Sequence, residues 1–270
     1  MRILISADIE GISGVCAPEQ TVPGSGEYER ARRLMTQEVN AAVEGALEGG
    51  ASEVWVVDGH GRYRNLLIEE LHERACLISG KPRLLGMMSG IDCGTWHGLF
   101  MIGYHSRAGA AGVLAHTING SAFAEIRVNG SPVGEYFLNG AVAGFFGVPV
   151  RLISGDDCLA EEAAAVFPSA EIVTVKEALG NRAAVHLSAS MAHQVLREGA
   201  YQAMSRAVEP LVVPSPLHVQ IDTVRAFHAD LFAMLPGVER VSPVCVEFEA
   251  ENPVLACRTL NSLSAMAASL

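Results

Sequence analysis

The chain has no cysteine arrangement that would build a disulfide scaffold or hold a structural zinc ion. Its six cysteines are scattered along 270 residues, and no two of them form a CxxC pair. A disulfide-rich small domain and a zinc finger are thereby excluded. Scattered thiols of this kind are typical of proteins from a reducing compartment. We therefore expect free cysteines in a cytoplasmic protein.

Long apolar runs are lacking as well. No stretch of the chain approaches the ~20 apolar residues that a membrane-spanning helix needs. The first residues enter an apolar strand directly, without the basic segment and apolar segment of a secretory signal. We expect a protein without a membrane partner.

Basic residues are in the minority, because 19 Lys and Arg stand against 30 Asp and Glu, for a net charge of −11. Nucleic-acid binding relies on clustered Lys and Arg, so this balance argues against a nucleic-acid partner. Half of the residues (50%) are hydrophobic. That share suffices for one large core, or for a major and a minor domain.

Short apolar runs alternate with amphipathic helical patterns through the first part of the chain. This alternation predicts an α/β fold with a mostly parallel sheet flanked by helices. The expected strands are residues 3–7, 54–57, 99–102 and 148–153, the expected helices are 28–47, 65–71 and one from 135, and Asn129-Gly130 indicates a hairpin.

The pattern changes beyond about residue 180 and predicts a smaller C-terminal α+β unit. Helices are expected over 188–207, over 224–234 and from 253, with strands near 219–221 and 244–248. We therefore expect a larger domain of residues 1–180 and a smaller α+β domain of residues 181–270 that share an interface.

Three of the predicted strands end in side chains that can bind a metal ion. Asp8 and Glu10 follow the first strand, Asp58-Gly59-His60 follows the second, and His105 follows the third. The carboxyl ends of parallel strands meet at one edge of a sheet, where ligands collect. Asp, Glu and His without Cys suit zinc, and also manganese or cobalt. The pattern predicts a metal site in the domain of residues 1–180, and so a hydrolase.

Each of these residues also has a simpler interpretation. Asp8 and Glu10, each taken alone, could equally well cap a helix or form a turn. For Asp58 a role in the turn, or in orienting a neighbouring ligand, is favoured. His60 and His105 taken singly are more often hydrogen-bonded core or turn residues. The coincidence of strand-end positions is what favours the metal site.

Two further residues are candidates with weaker support. Glu135 lies at a predicted helix start, where it could join the site or simply be an acid favoured by the helix dipole. His116 lies in a Gly- and Ala-rich loop. It could act as a general acid or base beside a metal site, or be a solvated loop residue, which composition alone favours.

The order of these motifs along nearly the whole chain resembles one family, the zinc-dependent M55 peptidases, which are D-aminopeptidases of dipeptide-transport operons. The resemblance is carried by segments 6–14, 28–30, 35–36, 58–60, 77–80, 103–108, 112–113, 129–130, 132–135, 141–144 and 155–157, and by His116. Gly59, where the family pattern has Ser, and the small loop Gly109-Ala110-Ala111, which lacks a Pro, depart from the pattern. Both departures flank the site and bear on substrate preference.

The resemblance implies a binuclear zinc centre, with two zinc ions per subunit. The implied zinc ligands are Asp8, Glu10, His60, His105 and Glu135, with Asp8 bridging, and His116 falls on the catalytic histidine. It also implies a homodecamer of two stacked pentameric rings whose active sites face an inner chamber. The expected activity is release of the N-terminal residue of short peptides, with D-residues such as D-Ala favoured.

Two other functions stay open from the sequence. A binuclear metallophosphoesterase uses similar ligands, and Arg107 is the nearest candidate for a phosphate clamp. A non-catalytic protein stabilised by zinc is the third possibility, and it would bind the metal without turning over any peptide.

Overall fold

The computed structural model describes residues 1–269, which form two β-sheets with helices packed against them. The strands are β1 (Arg2–Ala7), β2 (Glu53–Asp58), β3 (Ala75–Ile78), β4 (Gly98–Ile102), β5 (Phe123–Val128), β6 (Ser131–Pro132), β7 (Val150–Asp156), β8 (Glu171–Gly180), β9 (Ala183–His186), β10 (Leu217–Thr223), β11 (Glu239–Ser242) and β12 (Cys245–Ala250). The α-helices are α1 (Gly26–Glu48), α2 (Glu135–Phe145), α3 (Asp157–Val166), α4 (Ala189–Ser205), α5 (Ala226–Phe232) and α6 (Pro253–Ala267).

The first sheet has the strand order β3-β2-β1-β4-β7-β8-β9. Its strands are parallel, except that β9 runs antiparallel to β8 at one edge. Strands β1 and β4 are apolar almost throughout and buried on both faces, as expected for central strands of a parallel sheet. The predicted α/β class, with a mostly parallel sheet flanked by helices, is confirmed.

Helices cover both faces of this sheet. On one face, α1 and α4 pack against the side chains of Ile3 and Ile5. On the other face, α2 and α3 pack against Leu4 and its neighbours. The predicted helix 28–47 is confirmed as α1, which begins after Ser25, whose hydroxyl accepts a hydrogen bond from the Tyr28 N–H.

The second sheet is antiparallel, with the order β11-β12-β10-β5-β6, and it packs against α5 and α6. Asn129 and Gly130, at φ values of 51° and 83°, form the turn of the predicted hairpin. Each sheet takes strands from both sides of residue 180, since β5 pairs with β10 and β8 pairs with β9. The division into domains at residue 180 stays a prediction.

The predicted helix over residues 65–71 is wrong, because this segment consists of turns. The N–H groups of Glu70 and Leu71 donate to the carbonyl groups three residues earlier, which forms turns and not the i−4 ladder of an α-helix. Side chains of other segments hold the residues before them. The N–H groups of Asn65 and Leu66 donate to the Asp58 carboxylate, and the Leu67 N–H donates to the Thr36 hydroxyl. The amphipathic pattern alone does not reveal these competing acceptors.

The strand order places a switch point between β1 and β4. From β1 the chain continues to β2 and β3 on one side, and from β4 the sheet continues to β7 and β8 on the other. The chain after β1 leads to α1 on one face of the sheet, and the chain after β4 leads by way of β5 and β6 to α2 on the other face. Such a switch point places a crevice at the carboxyl ends of the two strands. Among residues 1–269, none of the helices has both the length and the apolar character of a membrane span.

The packing of α1 against α4 generates a first prediction. A Cβ atom added at Gly45 would lie 2.2 Å from the Arg197 carbonyl oxygen of α4, whereas one at Gly26, in the same helix, would meet nothing within 4 Å. Gly45→Ala should therefore lower the free energy of unfolding by about 1 to 3 kcal/mol. Gly26→Ala, the matched control, should leave it unchanged or raise it by up to ~1 kcal/mol. Urea unfolding of both variants measures the difference, and equal stabilities would contradict the close α1–α4 contact.

Candidate metal centre

The loop after β1 carries two buried acids and is fixed against the loop after β4. The Asp8 N–H donates to the Ile102 carbonyl at 2.8 Å, and the Gly11 N–H donates to the Gly103 carbonyl at 2.8 Å. A Cβ atom at Gly11 would lie 1.9 Å from the Tyr104 carbonyl oxygen, so only glycine permits this approach. Asp8 and Glu10 are thereby held, nearly inaccessible to solvent, beside the segment that leads to His105.

His60 reaches this pair of acids from the loop after β2. Its Nδ1 atom lies 3.0 Å from Glu10 Oε2 and 3.3 Å from Asp8 Oδ1. Asp58 shapes the loop: its carboxylate accepts hydrogen bonds from the Asn65 and Leu66 N–H groups and from the Asn65 amide. These bonds agree with the turn and orienting role that is favoured for Asp58 from the sequence.

His105, Glu135 and His116 form the other side of the cluster. His105 Nε2 lies 3.6 Å from Asp8 Oδ2 and 3.3 Å from Glu135 Oε1. The His116 ring stacks on the His105 ring with centroids 4.2 Å apart, and its Nε2 lies 3.8 Å from Glu135 Oε1. Glu135, the first residue of α2, also accepts a hydrogen bond from the Ile118 N–H at 2.7 Å.

All six predicted site residues therefore meet at one place. Two groups of three offer ligand atoms that all lie within 4.8 Å of one another: Asp8, Glu10 and His105, and His105, His116 and Glu135. His60 lies against the first group through its contacts with both acids. His116, although it lies in a loop, belongs to the second group, and its Nε2 atom lies 3.8 Å from Glu135 Oε1.

The three imidazoles share one hydrogen-bonding pattern. His60 Nε2 faces the Thr21 carbonyl at 2.8 Å, His105 Nδ1 faces the Ser106 carbonyl at 2.9 Å, and His116 Nδ1 faces the Leu114 carbonyl at 2.9 Å. A carbonyl oxygen only accepts, so the nitrogen that faces it carries the proton. The other nitrogen of each ring points at the acids, and it is the atom that would bind a metal ion after loss of any proton it carries, as in metal-bound histidines.

The buried His105 Nε2 atom makes no hydrogen bond to any of residues 1–269. A buried polar atom without a partner is rare, and a role in binding an ion is one of its standard explanations. The donor set of carboxylate oxygens and imidazole nitrogens, without sulfur, suits zinc. The residues present therefore fit a metal ion on their geometry and on their chemistry.

The pKa values of the clustered side chains also favour a bound cation. Burial, with the neighbouring Glu10 carboxylate, raises the pKa of Asp8 to about 7. Burial by itself would lower the pKa of His105, but Glu135, Asp8 and Glu10 outweigh it and raise this pKa to about 10. Burial and the adjacent His105 lower the pKa of His116. The acids thus create a strongly negative field that favours a cation in the cluster.

A buried lysine fixes the backbone behind the acids. The Lys176 ammonium, on β8, donates hydrogen bonds to the carbonyl oxygens of Glu10, Ile12 and Val15 at 2.5, 3.1 and 2.7 Å. Glu38, on α1, accepts a hydrogen bond from the Ser13 N–H at 2.8 Å. The segment after β1 is therefore anchored at four backbone groups. Neither Lys176 nor Glu38 is identified from the sequence, since no local motif marks a contact between such distant segments.

A cavity of about 310 Å³ opens in front of the cluster. Its other walls come from the loops after β2 and β3, which include Tyr63, Lys81 and Arg83, and from α6, which contributes Leu260 and Ser264. The cavity thus gives solvent and small molecules access to Asp8, Glu10, His60, His116 and Glu135.

Gly59, the first departure from the family pattern, lies in the cavity wall. A Cβ atom there would lie 2.6 Å from the Ala7 carbonyl oxygen and 2.6 Å from Met87 Cε. In this chain a serine at position 59 would therefore require the backbone to shift. Glycine at position 59 therefore fits the close packing of β1, the loop after β2 and Met87.

Comparison with known proteins agrees with this site. The sequence model of peptidase family M55, described as D-aminopeptidase, matches residues 1–262. A D-aminopeptidase of Bacillus subtilis (strain 168) is 34% identical over 272 residues, which cover 99% of this chain and 98% of that protein. The solved structure of the Zn-dependent D-aminopeptidase DppA from Bacillus subtilis, a self-compartmentalizing protease, superposes with a TM-score of 0.95 at 32% identity, over 100% of this chain and 99% of that one.

The fold and the site together define a metallo-aminopeptidase, a hydrolase that acts on peptide bonds. The chain belongs to the M55 family of D-aminopeptidases. The family and the enzyme class predicted from the sequence are confirmed. The metal ligands and the catalytic role of His116 stay predictions.

Glu38 generates a prediction about pH. Burial raises its pKa from 4.5 to about 8, and its second oxygen is buried without a partner among residues 1–269. The folded chain therefore holds a proton between pH 4.5 and 8 that the unfolded chain releases, so this residue lowers stability as pH rises through that window. Glu38→Gln removes the titration. Its free energy of unfolding relative to wild type should rise by more than about 1 kcal/mol from pH 5 to pH 9.

Urea unfolding at the two pH values measures this change. The exposed Glu198, changed to Gln, serves as the control and should follow the wild type at both pH values. A Glu38→Gln protein with the pH dependence of the wild type would show that Glu38 is ionised in the folded chain.

Proposed function

We propose that this chain is a zinc-dependent aminopeptidase that releases the N-terminal residue of short peptides, with D-residues such as D-Ala favoured. The observation that carries the proposal is the common arrangement of His60, His105 and His116. Each ring faces a backbone carbonyl with one nitrogen and the buried acids with the other. This arrangement supports a metal centre rather than a set of ordinary buried histidines.

We further propose that two zinc ions are bound per subunit. The two oxygens of Asp8 face different rings, since Oδ1 lies 3.3 Å from His60 Nδ1 and Oδ2 lies 3.6 Å from His105 Nε2. This supports Asp8 as the bridging ligand. Glu10 and His60 would complete one site, and His105 and Glu135 the other. When bound, the ions would polarise the scissile carbonyl and lower the pKa of water to about 7.

His116 is the residue to which we assign the proton transfer. Its ring belongs to the cavity lining, with Nε2 3.8 Å from Glu135 Oε1 and Nδ1 held by the Leu114 carbonyl. Since burial and His105 lower its pKa, the ring is neutral at neutral pH and can accept a proton at Nε2. The same atom would then give this proton to the leaving amine. The loop 112–117 therefore carries a base that the cluster orients by stacking.

The phosphoesterase alternative has less support. Arg107, its candidate phosphate clamp, lies 3.6 Å from Glu162 and 3.9 Å from Glu125, and it donates to the Ala108 carbonyl. It does not belong to the cavity lining described above. A guanidinium that is engaged by two acids away from the cavity is poorly placed to bind a phosphoester.

The experiment that tests the function combines metal analysis with a substrate panel on one preparation. The panel contains D- and L-aminoacyl amides, the corresponding dipeptides and a chromogenic phosphoester. The expected result is about two zinc ions per chain, the stoichiometry of a two-metal hydrolase, with turnover of D-alanyl substrates above that of L-alanyl substrates. Zinc binding without turnover of any peptide would favour the non-catalytic alternative, and turnover of the phosphoester alone would favour the phosphoesterase.

Asp8→Ala provides a test of the ligand assignment. Removal of the carboxylate that faces both rings should abolish turnover and lower the zinc content per chain, measured by elemental analysis after gel filtration. Asp92→Ala, which removes an exposed aspartate, is the matched control and should keep the turnover and the zinc content of the wild type. Full zinc occupancy in the Asp8→Ala protein would count against the assignment.

His116→Ala separates catalysis from metal binding. The variant should keep its zinc and lose a factor of ~10²–10⁴ in kcat, the usual contribution of a general acid or base. His193→Ala, on α4, is the control histidine and should keep wild-type kcat. A normal kcat in the His116→Ala protein would remove His116 from the mechanism, and loss of zinc would instead make it a ligand.

We also propose that the chain assembles as a homodecamer of two stacked pentameric rings in the cytoplasm. The support is the family resemblance and the similarity to a protease described as self-compartmentalizing. Closure of the sites within a chamber would restrict substrates to short peptides. Native mass spectrometry tests the number of subunits, and a monomer that is fully active would contradict the proposal.

A further inference from the structure

Two cations lie at the rim of the same cavity as the acidic cluster. Lys81 and Arg83, in the loop after β3, line this cavity together with Glu135 and His116. The chain has two lysines, and the other, Lys176, is buried behind the cluster. Lys81 is therefore the one accessible ammonium group on a lysine side chain, and it lies at the mouth of the candidate active site.

Both cations are held over one aromatic ring. The Lys81 ammonium lies 4.3 Å from the centroid of the buried Tyr63 ring, and the Arg83 guanidinium lies 4.0 Å from it. Arg83 is fixed further, because it donates hydrogen bonds to the carbonyls of Ile78 and Asp58. Cation–π contacts of this kind hold a positive charge in place without neutralising it.

Neither cation forms an ion pair with a carboxylate of residues 1–269, although the Glu135 charge acts on Lys81 and the Asp58 charge on Arg83. The Lys81 ammonium makes no hydrogen bond to any of these residues, and the Arg83 guanidinium donates to carbonyl oxygens and lies over the Tyr63 ring. The Arg83 Nε atom is buried without a partner among the same residues. Burial and the adjacent Arg83 lower the pKa of Lys81. An anion bound next to Lys81 would offset the repulsion between the Lys81 and Arg83 charges.

A short peptide brings such an anion. Its C-terminal carboxylate follows the scissile bond of a dipeptide by one residue, which spans at most ~3.6 Å. A cavity of about 310 Å³ is small for a ligand site, at the low end of the ~300–1,000 Å³ range. When the scissile carbonyl of a dipeptide lies at the acidic cluster, its C-terminal carboxylate lies within the same cavity. A long peptide would place its C-terminal carboxylate outside this cavity.

We propose that Lys81, supported by Arg83, determines specificity by binding the C-terminal carboxylate of the substrate. The substrate class is then short peptides with a free C-terminal carboxylate, dipeptides foremost, rather than C-terminally blocked or long peptides. This inference rests on the proposed aminopeptidase function. In the Lys81–Tyr63–Arg83 arrangement, the Lys81 ammonium contacts the substrate carboxylate. The Arg83 guanidinium, fixed by its hydrogen bonds, adds a second positive charge at the rim of the cavity.

The test compares D-Ala-D-Ala with its C-terminal amide, which has the same scissile bond and no carboxylate. The zinc-loaded wild type should prefer the acid by about 10- to 100-fold in kcat/KM, the range for a hydrogen bond to a charged group. Lys81→Met should bring the acid-to-amide ratio close to one, mainly through a higher KM for the acid. Lys81→Arg should restore most of the preference, and Arg74→Met, an equal change of charge at an exposed site, should retain it.

Two results would overturn the carboxylate site. One is an unchanged acid-to-amide ratio in Lys81→Met. The other is an equal loss on both substrates, which a merely structural role would produce. Calorimetric titration of the same proteins with D-alanine and D-alaninamide measures the preference without turnover. A wild type that hydrolyses neither peptide would contradict the aminopeptidase proposal, while the titration would still decide whether Lys81 binds a carboxylate.

Discussion

The burial of three carboxylates in one cluster is the constraint on which the rest of this structure depends. Asp8, Glu10 and Glu135 are almost inaccessible to solvent, and isolated buried charges are strongly unfavourable. The surroundings offset this in two ways. Imidazoles approach the carboxylates directly, and the Lys176 ammonium holds the carbonyl groups of the backbone that carries two of them. A cation bound among these carboxylates would complete the same balance, so the stability of this region and its affinity for a metal ion would share one cause.

The parallel sheet makes this cluster possible. Because β1 and β4 are neighbours at the switch point of the sheet, acids after one strand and a histidine after the other come together without any local motif. Hydrogen bonds between the two loops, from Asp8 to Ile102 and from Gly11 to Gly103, fix their relative position. The second sheet has a different role, since it carries α6 against the open side of the site and so shapes the cavity.

Much of this arrangement follows from the sequence, because strand ends are readable from apolar runs and a parallel sheet brings them to one edge. The positions of Asp8, His60 and His105 are predicted on that basis. Contacts between distant segments are not readable in this way. The pairing of β5 with β10 and the capture of the Leu67 N–H by Thr36 both depend on tertiary structure. The same holds for Lys81, whose significance comes from the Tyr63 ring beneath it.

The cavity wall formed by α6 has a consequence for the synthesis of the protein. All the residues of the acidic cluster precede position 136, whereas Leu260 and Ser264 of α6 line the space in front of them. A polypeptide still emerging from the ribosome therefore has every residue of the acidic cluster before it has this wall of the cavity. Translation through α6 is what gives the cluster a cavity of defined shape.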